Sequence, residues 1–80
     1  MEIKMKMPDL ATNDGEELGV ARWIASVGQS VRRGEPLLEV ETDKATQEVE
    51  CIATGVLQSI LVQAGERVPV GTIIATIKVG

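Results

Sequence analysis

Lys44 stands between Asp43 and Ala45, with Glu39 and Glu41 ahead of it and Glu48 and Glu50 behind. On chemistry alone, a lone amine among carboxylates reads as an ordinary surface lysine, kept protonated by its neighbours. It does not suit catalysis, because a nucleophilic lysine needs burial or a cationic neighbour. Composition removes other chemistries. The chain has no histidine, the commonest general base and metal ligand. Its single cysteine, Cys51, can form neither an internal disulfide nor a zinc cluster. With no partner cysteine and no basic neighbour in sequence, Cys51 reads as a small core residue.

Two short strands must position this lysine. Leu38 and Val40 alternate with Glu39 and Glu41, and Val49 and Cys51 alternate with Glu48 and Glu50. Period-two alternation marks strands with one face on a core and one in water. With a turn from Thr42 to Ala45, Val40 faces Gln47 and Leu38 faces Val49 on the inner side, while Glu39 faces Glu48 outside. Like charges so placed are destabilising, and a fold with no use for an acidic outer face is expected to avoid them. Gln47 is polar where the inner face favours an apolar residue. No Asn-Gly or Asp-Gly fixes the turn, but a type I turn accepts most residues and Asp suits it. Lys44 then sits at the apex in solvent, where an ordinary surface lysine would also sit.

The rest of the chain supplies the scaffold. Ile3, Met5 and Met7 alternate with Glu2, Lys4 and Lys6, which predicts an amphipathic first strand with the methionines in the core. Pro8 closes it, and residues 9 to 17 read as a polar loop with turn chemistry. From Val20 onward the chain repeats: Gly28, Val31 and Gly34 recur 37 residues on as Gly65, Val68 and Gly71. At the same spacing Val20, Trp23, Ile24, Leu37 and Val40 map onto Leu57, Ile60, Leu61, Ile74 and Ile77. One supersecondary unit of strand, Gly-x-x-Val-x-x-Gly turn and strand is used twice. The glycines allow positive φ in the turns, and Val31 and Val68 are placed to plug the ends.

Two such units face to face predict an all-β fold, a flattened sandwich or barrel of two antiparallel four-stranded sheets with approximate two-fold symmetry. The last strand, Thr72 to Val79, should pair with the first. The lysine-bearing hairpin joins the halves, so its tip projects at one end with both termini at the other. Eighty residues make one domain, 1–80, near the lower size limit for a self-sufficient core. With Trp23 as the one aromatic, that core must be aliphatic.

Glu41-Thr42-Asp43-Lys44-Ala45 resembles the lipoylation motif of the lipoyl domains of 2-oxo acid dehydrogenase complexes. The resemblance extends to Met7-Pro8-Asp9-Leu10, to Val20 to Ile24 with its Trp, to the Gly28 to Gly34 turn, and to Gly55-Val56-Leu57. It implies that Lys44 carries lipoic acid as a covalent amide, with Asp43 and Ala45 shaping the turn that the lipoate ligase or lipoyltransferase recognises. It further implies a non-catalytic carrier that takes acyl groups from a thiamine-diphosphate-dependent 2-oxo acid (or acetoin) dehydrogenase component. The acyl group then goes to coenzyme A in the acyltransferase core, and dihydrolipoyl dehydrogenase restores the disulfide. The loop acids Asp9, Asp14, Glu16 and Glu17 would assist docking to the dehydrogenase. Glu39, Glu41 and Glu48, with Asp43 and Glu50, form the acidic face expected to meet basic partner surfaces.

A net charge of −4 and a pI near 4.7 argue against nucleic acid or an anionic membrane as partner. No apolar run is long enough to span a bilayer and no hydrophobic signal region opens the chain, so cytoplasm or a mitochondrial matrix is expected. The isolated domain is expected to be monomeric. A biotinyl carrier domain of a carboxylase would share the fold, but it needs methionines beside the tip lysine where Asp43 and Ala45 stand. Met5-Lys6-Met7 imitates that biotin triplet, yet Lys6 lies inside the first strand, away from the hairpin. An unmodified β-barrel interaction module is the remaining alternative.

Overall fold

The computed structural model describes residues 1–10, 17–42 and 44–80. Among the described residues eight strands run in chain order: β1 Glu2–Lys6, β2 Glu17–Trp23, β3 Ser30–Val31, β4 Pro36–Glu41, β5 Thr46–Glu50, β6 Gly55–Ile60, β7 Arg67–Pro69 and β8 Ile73–Lys78. They form two antiparallel four-stranded sheets, ordered β1-β8-β6-β3 and β5-β4-β2-β7. The two sheets stay separate, so the molecule is a flattened sandwich and not a closed barrel. Among the described residues there is no helix.

Alternation along the strands sets one face of each sheet on the other. The aliphatic core includes Met5, Met7, Leu18, Val20, Leu38, Val40, Leu57, Ala75 and Ile77, all at or below 2% exposure. Cys51 lies within it as a free thiol, its Sγ 3.0 Å from the carbonyl oxygen of Ala53. Trp23 covers the flank, and its indole Nε1 donates to the Val62 carbonyl at 2.9 Å, so this half-buried ring leaves no polar atom unpaired.

The internal repeat is a two-fold pseudosymmetry down to single hydrogen bonds. Gly28 N donates to Leu57 O and Gly65 N to Val20 O, both at 2.8 Å. Ser26 N is capped by the Gln29 side chain as Gln63 N is by the Glu66 side chain. Gly28, Gly34, Gly65 and Gly71 all have φ between 91° and 94°, the left-handed region that a Cβ disfavours. Val31 is buried and Val68 half-buried against the core, as the plugging role requires.

This topology sets one connection apart. Among the described strands, β4–β5 alone joins successive neighbours within a sheet; the other successive strands lie in alternate sheets. That hairpin has the register read from the sequence: Leu38 opposite Val49, Glu39 opposite Glu48 and Val40 opposite Gln47. Lys78 lies opposite both Glu2 and Val56, and Gly34 N donates to Cys51 O. The termini therefore share the end of the molecule where the hairpin is rooted, and the tip is at the other end.

Three details differ from the sequence reading. Glu17 belongs to β2, where it pairs with Pro69, and not to the preceding loop. Strict alternation fails at Leu37 and Ile74, which are fully buried beside inner-face neighbours. There the chain leaving β2 or β6 folds back, with Ile24 N donating to Leu37 O and Leu61 N to Ile74 O, and covers the second face. Gln47 is exposed on the outermost strand of its sheet, so its polarity does not disturb the register. Residues 11 to 16, with the loop acids Asp14 and Glu16, lie outside the described residues.

Gly55 is required by space alone. A Cβ there would fall on the carbonyl oxygen of Lys78, where β6 and β8 approach closely. Gly55→Ala is expected to cost about 1–3 kcal/mol through overpacking, measured by urea unfolding. Ser30→Ala on the neighbouring β3 should change stability by less than about 0.5 kcal/mol, as exposed positions do.

Candidate functional site

β4 and β5 end together at the tip, where Thr42 N donates to Ala45 O at 2.8 Å. The side chain of Thr42 closes the turn further. Its Oγ1 donates to Ala45 O at 2.8 Å and accepts from the backbone N–H groups of Ala45 at 3.1 Å and Lys44 at 3.3 Å. Lys44 and Ala45 are exposed. Among the described residues, no side chain pairs with the Lys44 ammonium. Asp43 lies outside the described residues.

The acidic residues divide into two groups. Glu41, Glu48 and Glu50 are exposed on the arms of the hairpin. Glu39 is half-buried and taken up by Arg22, whose Nε and Nη2 lie 3.0 and 3.3 Å from its two carboxylate oxygens. The hydrogen bonds that Arg22 donates to Glu39, then the charge of Glu39, raise the Arg22 guanidinium pKa above its ordinary value, with a smaller contribution from Glu48. The Glu39–Glu48 opposition expected to be destabilising is therefore relieved from the neighbouring strand. Sequence reading missed Arg22 because the register of β2 against β4 shifts between Val20 and Arg22, which brings Arg22 opposite Glu39.

Lys6 of the Met5-Lys6-Met7 triplet lies on β1 opposite Ile73, within a paired strand, with both methionines buried. It stands inside a strand and not at a hairpin tip. Among the described residues, no group of three or more His, Cys, Asp or Glu side chains is arranged to hold a metal ion.

The geometry has clear counterparts. The sequence model of the biotin/lipoyl family, described as "Biotin-requiring enzyme", matches residues 3–77. The succinyltransferase component of the 2-oxoglutarate dehydrogenase complex of Bacillus subtilis is 43% identical over 77 residues, which cover 96% of this chain and 18% of that protein. The acetyltransferase component of the pyruvate dehydrogenase complex of Rickettsia prowazekii is 42% identical over 78 residues, covering 96% and 19%. The chain thus spans about a fifth of the length of these relatives. Among solved structures, the lipoyl domain of the 2-oxoglutarate dehydrogenase complex of Azotobacter vinelandii superposes with a TM-score of 0.78 at 31% identity, covering 98% of both chains. Urea carboxylase of Kluyveromyces lactis has the same fold in 7% of its length, with a TM-score of 0.64 at 24% identity.

The part played by Arg22 is open to test by itself. Arg22→Gln should lower the melting temperature, more at low salt than at high, because Glu39 and Glu48 then face each other without a cation. Adding Glu48→Gln should recover most of the loss; a second change without effect would show that Arg22 contributes through packing alone.

Proposed function

This chain belongs to the biotinyl and lipoyl attachment family, and we propose that within it the chain is a lipoyl carrier domain of a 2-oxo acid dehydrogenase acyltransferase, modified on Lys44. One observation carries the reading: a primary amine stands exposed at the tip of the β4–β5 hairpin. Identity to lipoyl-bearing relatives along almost the whole chain supports it.

The site fits an amide-linked arm. Lys44 is exposed, and among the described residues no side chain pairs with its ammonium. The chemistry the group supplies when bound is that of a dithiolane: acyl groups and electrons are received from a thiamine-diphosphate-dependent dehydrogenase component, acyl groups are delivered to coenzyme A, and electrons leave through dihydrolipoyl dehydrogenase. This chain's own residues do the presenting. Thr42 and the strands behind it hold Lys44 clear of the sandwich. Amide formation removes the lysine charge, which makes the hairpin one unit more negative. Glu41, Glu48 and Glu50, with Glu39 behind them and Asp43 and Ala45 beside Lys44, then offer an acidic docking face to the lipoate ligase and the dehydrogenase component. Tethering to an acyltransferase core gives the arm a high effective concentration at each active site. The setting would be the cytoplasm or a mitochondrial matrix, where such complexes work.

A biotinyl carrier is the second reading, supported by the family model's description as "Biotin-requiring enzyme". Intact mass after expression in cells supplied with lipoate and biotin separates the readings. A lipoyl increment is expected, lost in Lys44→Ala with the melting temperature unchanged and retained in Lys6→Ala. A biotin increment, or none, would overturn the proposal. Glu41→Gln with Glu48→Gln should slow reductive acylation at low salt by about tenfold, with the difference shrinking as salt is raised. Equal rates at low salt would remove the acidic face from the account.

A further inference from the structure

We propose that Thr42 is the positioning residue for acylation of Lys44, and that its hydroxyl sets the orientation in which the lysine is offered to the modifying enzyme. The inference rests on the lipoyl reading above and adds a residue to it.

The pseudosymmetry provides an internal control. Shifting Val79 back by 37 positions gives Thr42, and the same two-fold carries β1 onto β5, 44 residues on, and Met1 onto Ala45. The bond Val79 N to Met1 O, 2.7 Å, is therefore the counterpart of Thr42 N to Ala45 O, 2.8 Å. The return bond differs. At the termini the Met1 ammonium donates to the Val79 backbone carbonyl at 2.9 Å. At the tip Ala45 N donates to the Thr42 hydroxyl oxygen. The same oxygen accepts from Lys44 N and donates to Ala45 O.

One side-chain atom thus contacts the backbone of Lys44 and of the residue after it. Such a hydroxyl-centred turn fixes backbone direction where the sequence supplies no strong turn dipeptide. The sandwich does not need it, because the tip lies beyond the core and Thr42 is only half-buried. It matters for the reaction. In the attachment step the deprotonated Lys44 Nζ attacks the carbonyl of a lipoyl-adenylate. A C–N bond forms, the C–O bond to AMP breaks with its electron pair leaving on the phosphate, and the amine proton passes to solvent. An amine on a flexible stem needs its root fixed if the attack is to be productive inside an enzyme, since small misplacements are costly.

The test uses purified chain, a lipoate ligase, free lipoate and MgATP. Thr42→Val keeps the shape and removes the hydroxyl; Thr42→Ser keeps the hydroxyl and removes the methyl. The Val variant is expected to lose about tenfold in kcat/KM, more through kcat than through KM, while the Ser variant recovers most of the rate. Acetylation of Lys44 by a small water-soluble acylating reagent should proceed alike in all three, and their melting temperatures should agree. Hydrogen exchange at the Lys44 and Ala45 amides should be faster in the Val variant alone. Wild-type kcat/KM in Thr42→Val, or a Ser variant as slow as the Val variant, overturns the inference while the carrier reading stands. A wild-type chain that takes up no lipoyl group overturns both.

Discussion

Each sheet must hide one face, and with a single aromatic ring available it must do so with aliphatic side chains of modest size. That constraint governs the rest of the molecule. A core of Val, Leu, Ile, Met and Ala between two four-stranded sheets leaves little surplus stability in a domain of this size. Successive strands therefore cross repeatedly between the sheets, which ties the two layers together at both ends. The lysine hairpin escapes that weaving and is free to project, because its root is gripped by Leu38, Val40 and Val49 while its tip carries no apolar side chain larger than Ala45.

The two halves share a backbone plan but not a surface. On the hairpin half, outward positions of β4 and β5 carry Glu39, Glu41, Glu48 and Glu50, with Arg22 alongside. On the other half, β1 and β8 carry Lys4, Lys6 and Lys78, with Glu2 opposite Lys78. Where Arg22 meets Glu39, the related pair is Ser59 and Thr76, whose hydroxyls lie 2.6 Å apart. A neutral hydrogen bond satisfies the same geometry, so the ionic version belongs to the charged face and is not demanded by the fold.

Much of this was legible in the sequence because the signals were periodic. Leu38, Val40 and Val49 gave the hairpin its inner face, and the glycines spaced by 37 gave the two-fold and its turns. Lys44 was found by its place between the two arms, and the motif resemblance attached chemistry to it. Local alternation could not show the double burial of Leu37 and Ile74, because their second face is covered by chain that returns from another strand. Nor could it show Arg22 against Glu39, which depends on a register shift within β2. Thr42 was in plain view but silent: a hydroxyl beside a turn becomes informative only when the donors it meets are known.

The pairing of Met1 with Val79 has a further meaning. The gap between residues 79 and 1 and the lysine loop occupy equivalent places, so the sandwich is a platform with two ends at which a loop can be displayed. Closing the gap with a Thr-Asp-Lys-Ala linker would convert the domain into a circle bearing two amines at opposite poles, with no strand asked to change its neighbours.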